Sequence, residues 1–144
     1  MNSTLMIRPF TGRDRAALEA LWNRVFPDDP PRNAPAAMID NKLKVHPELL
    51  LVATWDEALV GAVIAGYDGV RGWLYHLAVA PEQRRQGFAT QLVRAAESAL
   101  FKLGCTKVNL QVRATNVAVV GLYEALGYAI EERVSMGRTL DGHG

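Results

Sequence analysis

The stretch from Trp73 to Leu103 restricts the fold more than any other part of the chain. It opens with an apolar β-type run ending at Val79, crosses Pro81 and a polar turn holding two arginines, and enters a long helix at Gly87. In that helix Leu92, Val93, Ala96, Leu100 and Leu103 share one face, and Gly104 suits the position just past its end. Lys107 to Val112 then alternates, with Val108, Leu110 and Val112 on one side and Asn109 and Gln111 on the other. A strand, a helix and another strand in this order call for a crossover, so two strands must run parallel or diverge.

The preceding half has a different character. Leu5 to Arg8 reads as a short strand, and Leu18, Leu21, Trp22 and Val25 form one helical stripe in a helix starting near Arg13. Three prolines between Pro27 and Asn33 end it, and a second helix is predicted over Ala36 to Val45. Leu49 to Trp55 and Leu59 to Tyr67 form a predicted hairpin about Asp56-Glu-Ala, and Trp73 to Val79 continues the meander. After the crossover unit, a fourth helix is expected from Asn116 to Leu126, stopping at Gly127, with Tyr128 to Leu140 as one or two closing strands. The order β-α-α-β-β-β-α-β-α-β predicts a single α/β domain over 1–144 with an antiparallel front half.

Composition removes several functional classes. The chain has 144 residues, sixteen Lys and Arg against fifteen Asp and Glu, so bulk charge gives no case for nucleic acid or an anionic membrane. The single Cys105 excludes a disulfide framework within the chain and a multi-cysteine zinc site, and fits a reducing cytoplasmic location. Cys105 itself reads as a buried, inert thiol. His46 and His143 have no partner at a ligand spacing, so no metal is expected. No uncharged stretch is longer than that from Ala58 to Tyr67, which is well short of the ~20 residues that span a bilayer. Met1-Asn-Ser-Thr runs directly into a strand-like segment, which predicts no signal peptide.

The chemistry concentrates in Leu77 to Leu92. Free N–H groups at a helix start attract anions, and small residues at Gly87 and Ala89 let a phosphate approach the backbone. Arg84 and Arg85 stand just before that positive end, where the dipole opposes each cation by about 0.3–1 kcal/mol. A bound anion would relieve the conflict. A solvated basic turn is the alternative reading. Neither a Walker loop nor Gly-x-Gly-x-x-Gly is present.

Arg84-x-x-Gly87-x-Ala89, placed between a strand ending Leu-Ala-Val and a long helix, resembles the signature of the GNAT N-acetyltransferases. Asn116-Val-Ala-Val-Val-Gly-Leu-Tyr123-Glu-Ala-Leu-Gly127-Tyr128 is similar to the second characteristic segment of that family, with Val119 in place of its usual alanine. The resemblance follows the element order from Leu5 to Leu140. It implies a GNAT fold: a mixed, mostly antiparallel sheet whose fourth and fifth strands splay apart, flanked by four helices.

The same resemblance implies acetyl-CoA as cosubstrate and a primary amine, on a small molecule or a peptide, as acceptor. Backbone groups of Leu77, Ala78 and Val79 would pair with the pantetheine arm. The pyrophosphate would take the N–H groups of Arg85, Gln86, Gly87, Phe88, Ala89 and Thr90, with charge from Arg84 or Arg85. Asn116 would touch the cofactor, although a plain helix N-cap is the competing reading. Tyr123 would face the departing sulfur. A phenol near pKa 10 is a weaker acid than a thiol near 8.5, so full proton transfer runs uphill by roughly 2 kcal/mol and a hydrogen bond is the safer role. In the slot where relatives carry a Glu or His base, this chain has Tyr75, with Trp73 two residues earlier on the same face. Period-two alternation sends His76 to the opposite face, where it reads as structural.

The resemblance places the acceptor site under Phe26 to Ala37. Asp28 and Asp29 in that segment read as solvated loop carboxylates or as attraction for an ammonium group. Direct acetyl transfer to an amine is the leading function. A non-catalytic acyl-CoA binder of the same fold is the alternative, resting on the missing Glu or His. An unrelated nucleotide-phosphate module leaves the Asn116 to Tyr128 pattern unexplained. Monomer and homodimer are both compatible with the chain.

Overall fold

Side-chain alternation decides where the core lies. The computed structural model describes residues 4–140, so the readings made for Met1 to Ser3 and for His143 lie outside it. Five strands, β1 (Met6–Pro9), β2 (Leu50–Trp55), β3 (Ala58–Tyr67), β4 (Gly72–Val79) and β5 (Val108–Leu110), form one sheet in the order β1-β2-β3-β4-β5. The first three pairings are antiparallel and β4–β5 is parallel. The mixed, mostly antiparallel α/β sheet expected from the sequence is therefore present.

The middle strands are buried on both sides. Leu50, Val52, Ala62, Ile64 and Ala78 pack with Leu18, Leu21 and Trp22 of α1 (Arg15–Val25) and Ile39 of α2 (Pro35–Lys42). The alternate residues face α3 (Phe88–Lys102), whose Leu92, Val93, Ala96 and Leu100 are buried. Two close approaches mark that second face. A Cβ on Gly61 would fall 2.9 Å from Leu92 Cδ1, and one on Gly72 would fall 2.7 Å from Cys105 Sγ. Each fully buried large apolar side chain contributes about 1.5–3 kcal/mol. Cys105 is buried and free, as expected, with Sγ 3.2 Å from the Lys107 carbonyl oxygen.

Chain contacts divide the structure into two compact units, Met1–Gln111 and Val112–Gly144. The second holds α4 (Val117–Ala125), capped by Asn116 and stopped at Gly127, where φ is +98°.

Three sequence expectations change. The second helix ends at Lys42 rather than Val45, because His46 precedes Pro47 and adopts φ +48°, outside the right-handed helical region. The fifth strand shrinks from Lys107–Val112 to Val108–Leu110, because its partner β4 accompanies it only over Gly72–Leu74. No strand forms from Tyr128 to Leu140, and Ile130, Val134, Met136 and Leu140 are all exposed. Alternation selects a face, but a strand also needs a neighbour to pair with, and this run has no ladder.

A buried acid anchors the start of α1. Asp14, 7% exposed, accepts two hydrogen bonds from Arg8, at 2.7 and 2.9 Å, and one from the Thr11 backbone N–H at 2.8 Å. The Arg8 hydrogen bonds hold its pKa down at about 2. Its stabilisation is thus fully present above pH ~4 and lost as pH falls through 2. Asp14→Asn is expected to cost about 2 kcal/mol in urea unfolding at pH 7, with the difference from the native chain closing between pH 4 and 2. A pH-independent difference would mean that the carboxylate charge is not what stabilises this corner.

Candidate active site

The pairing of β4 with β5 stops at Leu74, leaving the β5-side edge of β4 without a ladder from Tyr75 onward. At the same point β4 carries an extra residue. Ala78 pairs with Ala62 and Tyr75 with Ile64, so the two residues His76 and Leu77 oppose the single Val63. His76 absorbs the bulge with φ +53°, a left-handed conformation that costs a non-glycine residue about 1–3 kcal/mol. Leu77, Ala78 and Val79 follow along the opened edge, with Ala78 and Val79 buried and Leu77 half-buried.

The chain then turns through Pro81–Gln83 into the basic loop. Arg84, Arg85, Gln86 and Gly87 are exposed, and Arg85 and Gly87 both have positive φ, +66° and +78°. Gly87 is the N-cap of α3, and the Gln91 N–H is bonded to its carbonyl. The N–H groups of Phe88, Ala89 and Thr90 therefore precede the first acceptor of the helix and stay available to a ligand. The side chain of Phe88 is buried, and Ala89 and Thr90 are half-buried. The nearest acid in the chain, Glu82, is taken by Arg24 at 2.6 and 3.2 Å. Neither Arg84 nor Arg85 joins an ion pair among the described residues. Two unpaired cations at a positive helix end, beside an unpaired strand edge, suit an extended ligand with an anionic end.

The aromatic wall stands on the α1 side. Tyr75 is 41% exposed and covers Gly66, its ring 3.6 Å from the place a Cβ would take; Trp73 is half-buried. Burial raises the Tyr75 pKa, which makes the phenolate rarer and a basic role for it less favourable. His76 corrects the sequence reading. Alternation would turn it away from Tyr75, but the extra residue puts both on the α1 face. Its ring lies 5.4 Å from Trp22 in a T-shaped contact and 4.7 Å from Phe26. Asp29 is likewise no freely solvated carboxylate, since its Oδ2 lies 3.0 Å from His76 Nε2. Asp28 is exposed. Nothing in the strand's otherwise regular pattern announces the bulge, although histidine tolerates positive φ better than most residues.

In the second unit Asn116 does cap α4. Its side-chain oxygen accepts a hydrogen bond from the Val119 N–H at 3.4 Å. Tyr123 is 6% exposed, with its ring 5.4 Å from that of Tyr128 in a T-shaped contact. Desolvation pushes its pKa up to about 12. Its hydroxyl has no hydrogen-bond partner among the described residues, and its oxygen is not among the fully buried polar atoms, so it stays within reach of a ligand or solvent. No cluster of three metal-ligating side chains occurs among the described residues, and no helix among them is long and apolar enough to cross a membrane.

Residues 15–128 match the sequence profile of the Acetyltransferase (GNAT) family. An acetyltransferase of Yersinia enterocolitica is 44% identical over 110 residues, covering 76% of this chain and 78% of its own. An acetyltransferase of Pectobacterium atrosepticum is 40% identical over 134 residues, covering 93% and 94%. Among solved structures, an aminoglycoside N-acetyltransferase in complex with CoA superposes with a TM-score of 0.79 at 21% identity, over 96% of this chain and 97% of that one. The PaiA N-acetyltransferase of Thermoplasma acidophilum in complex with coenzyme A gives 0.78 at 18% identity, over 91% and 93%. With its opened β4 edge, its basic turn into α3 and these relatives, the chain belongs to the GNAT acetyltransferase family.

Proposed function

We propose that the chain transfers the acetyl group of acetyl-CoA to a primary amine by direct attack, working in the cytoplasm as one catalytic domain. The observation that carries this reading is the end of the β4–β5 ladder at Leu74, followed by a continuous path along β4 to the free N–H groups of α3. An extended pantetheine arm can bond the Leu77–Val79 backbone as a missing strand would. The pyrophosphate then meets the Arg85 to Thr90 N–H groups, with Arg84 and Arg85 neutralising its charge. Acetyl-CoA supplies an activated thioester, and the chain's residues must position it, hold the amine and stabilise the departing sulfur. Asn116 combines its capping role with a contact to the cofactor.

Tyr123 is the hydrogen-bond donor to that sulfur. With its pKa near 12 against about 8.5 for a thiol, transferring the proton outright would cost about 5 kcal/mol. A hydrogen bond that strengthens as the C–S bond breaks has no such cost. Tyr75 and Trp73 form a wall that suits a cationic acceptor. The neighbours include proteins named for aminoglycosides and, in the NatC complex, one bound to a peptide, so both acceptor classes belong in the test.

Calorimetry with acetyl-CoA and with desulfo-CoA is expected to give micromolar binding of both. Thiol release should then appear with at least one of an aminoglycoside, a polyamine, lysine and a short peptide with a free N-terminus. Tight binding without release from any amine would favour the acyl-CoA binder. Tyr123→Phe should lower kcat at least ten-fold at nearly unchanged acetyl-CoA affinity, and an unchanged kcat would remove the hydroxyl from the reaction.

Gly87→Glu sets bulk and negative charge against the phosphate, at a position with φ +78° and no heavy atom within 4 Å of an added Cβ. Acetyl-CoA affinity should drop at least ten-fold while the fold persists. Normal affinity would mean that the phosphate lies elsewhere.

A further inference from the structure

The bulge in β4 and the segment after α1 bring together two groups with no assigned role. A carboxylate can only accept, so in the 3.0 Å contact with Asp29 Oδ2 it is His76 Nε2 that carries the hydrogen. The other ring nitrogen, Nδ1, then holds a free lone pair. It has no hydrogen-bond partner among the described residues. The imidazole keeps 14% of its surface exposed and Asp29 22%, so the pair is sheltered without being sealed. Contacts with the rings of Trp22 and Phe26, together with the Asp29 hydrogen bond, restrict rotation of the imidazole. The pair also sits at the point where β4 parts from β5, next to Tyr75 and on the same face.

We propose that His76 is the proton acceptor for the incoming amine, with Asp29 fixing its tautomer and stabilising the imidazolium. The proposal rests on the transferase reading above and supplies what that reading lacks. An alkyl ammonium, with a pKa near 10.4, cannot attack until it loses a proton. It must shed two on its way to an amide. The first passes from the ammonium to Nδ1 and on to solvent. The nitrogen lone pair then forms the C–N bond to the acetyl carbon, the C–S bond breaks, and its electron pair leaves on sulfur. The second proton leaves the acylated nitrogen through Nδ1 and ends on the thiolate or in solvent. Asp29 also places a negative charge where a cationic acceptor must arrive.

The test uses whichever amine of the panel the native chain acetylates fastest. His76→Gln should lower kcat at least 100-fold, with acetyl-CoA affinity within two-fold of native by calorimetry. Added imidazole should restore part of the rate of His76→Ala in proportion to its concentration, which a packing defect would not allow. Asp29→Asn, in an irregular segment, should lower kcat at least ten-fold and change the tautomer that histidine ¹⁵N NMR shows at pH 9, where native His76 should carry its hydrogen on Nε2.

An unchanged kcat in His76→Gln or Asp29→Asn overturns the proposal and leaves the transferase reading standing. So does a native ring protonated on Nδ1, or a His76→Ala variant that imidazole does not rescue. No transfer by the native chain to any amine removes both readings together.

Discussion

One surplus residue in β4 sets the geometry on which the rest of the site depends. Up to Leu74 the strand is tied on both sides, to β3 and to β5. The two residues opposite Val63 bend and twist it, and the parallel ladder to β5 does not continue past that point. The strain of φ +53° at His76 is affordable because the flanking residues are well anchored. Leu74 and Ala78 are 3% and 2% exposed, and Tyr75 and Ala78 remain in register with β3. One distortion therefore opens an edge of backbone hydrogen-bonding groups and turns an imidazole to the α1 face.

Electrostatics at the far end of that edge work by leaving cations unpaired. A helix start disfavours positive charge, yet Arg84 and Arg85 precede α3 with no ion-pair partner among the described residues. Glu82, which could have neutralised them, is held by Arg24 of α1. That exposed pair adds little to stability. It does occupy the carboxylate that would otherwise compete with the proposed anion for the turn. The positive φ of Gly87 lets the loop enter the helix with the first N–H groups still free.

Much of this was legible in the sequence. The stripe Leu18, Leu21, Trp22 is buried as its spacing requires, and Gly87, Gly104 and Gly127 all carry the positive φ that suits a residue at a helix boundary. What local patterns encode less well is pairing. The Tyr128 to Leu140 run has strand-like residues but no ladder, and β5 is cut short where its neighbour bends away. The His76 bulge belongs to the same class. It is a mismatch between two strands, invisible in either alone, so alternation assigned His76 to the wrong face. The contact of Asp29 is hidden for a related reason, since its partner is 47 residues away.

The two tyrosines show how burial limits what a phenol can do. Desolvation raises the pKa of both, Tyr123 to about 12. A raised pKa keeps a phenol protonated across the whole physiological range, so neither ring becomes a base, and each is always able to donate. Such a donor is useful where negative charge develops, as on a departing sulfur, and of little use for deprotonating an ammonium. The amine proton therefore needs an acceptor of another kind. The proposal gives that part to an imidazole whose other nitrogen is already committed to a carboxylate. In the proposed reaction, proton donation and proton acceptance would thus fall to different kinds of side chain, a phenol that stays protonated and an imidazole paired with Asp29.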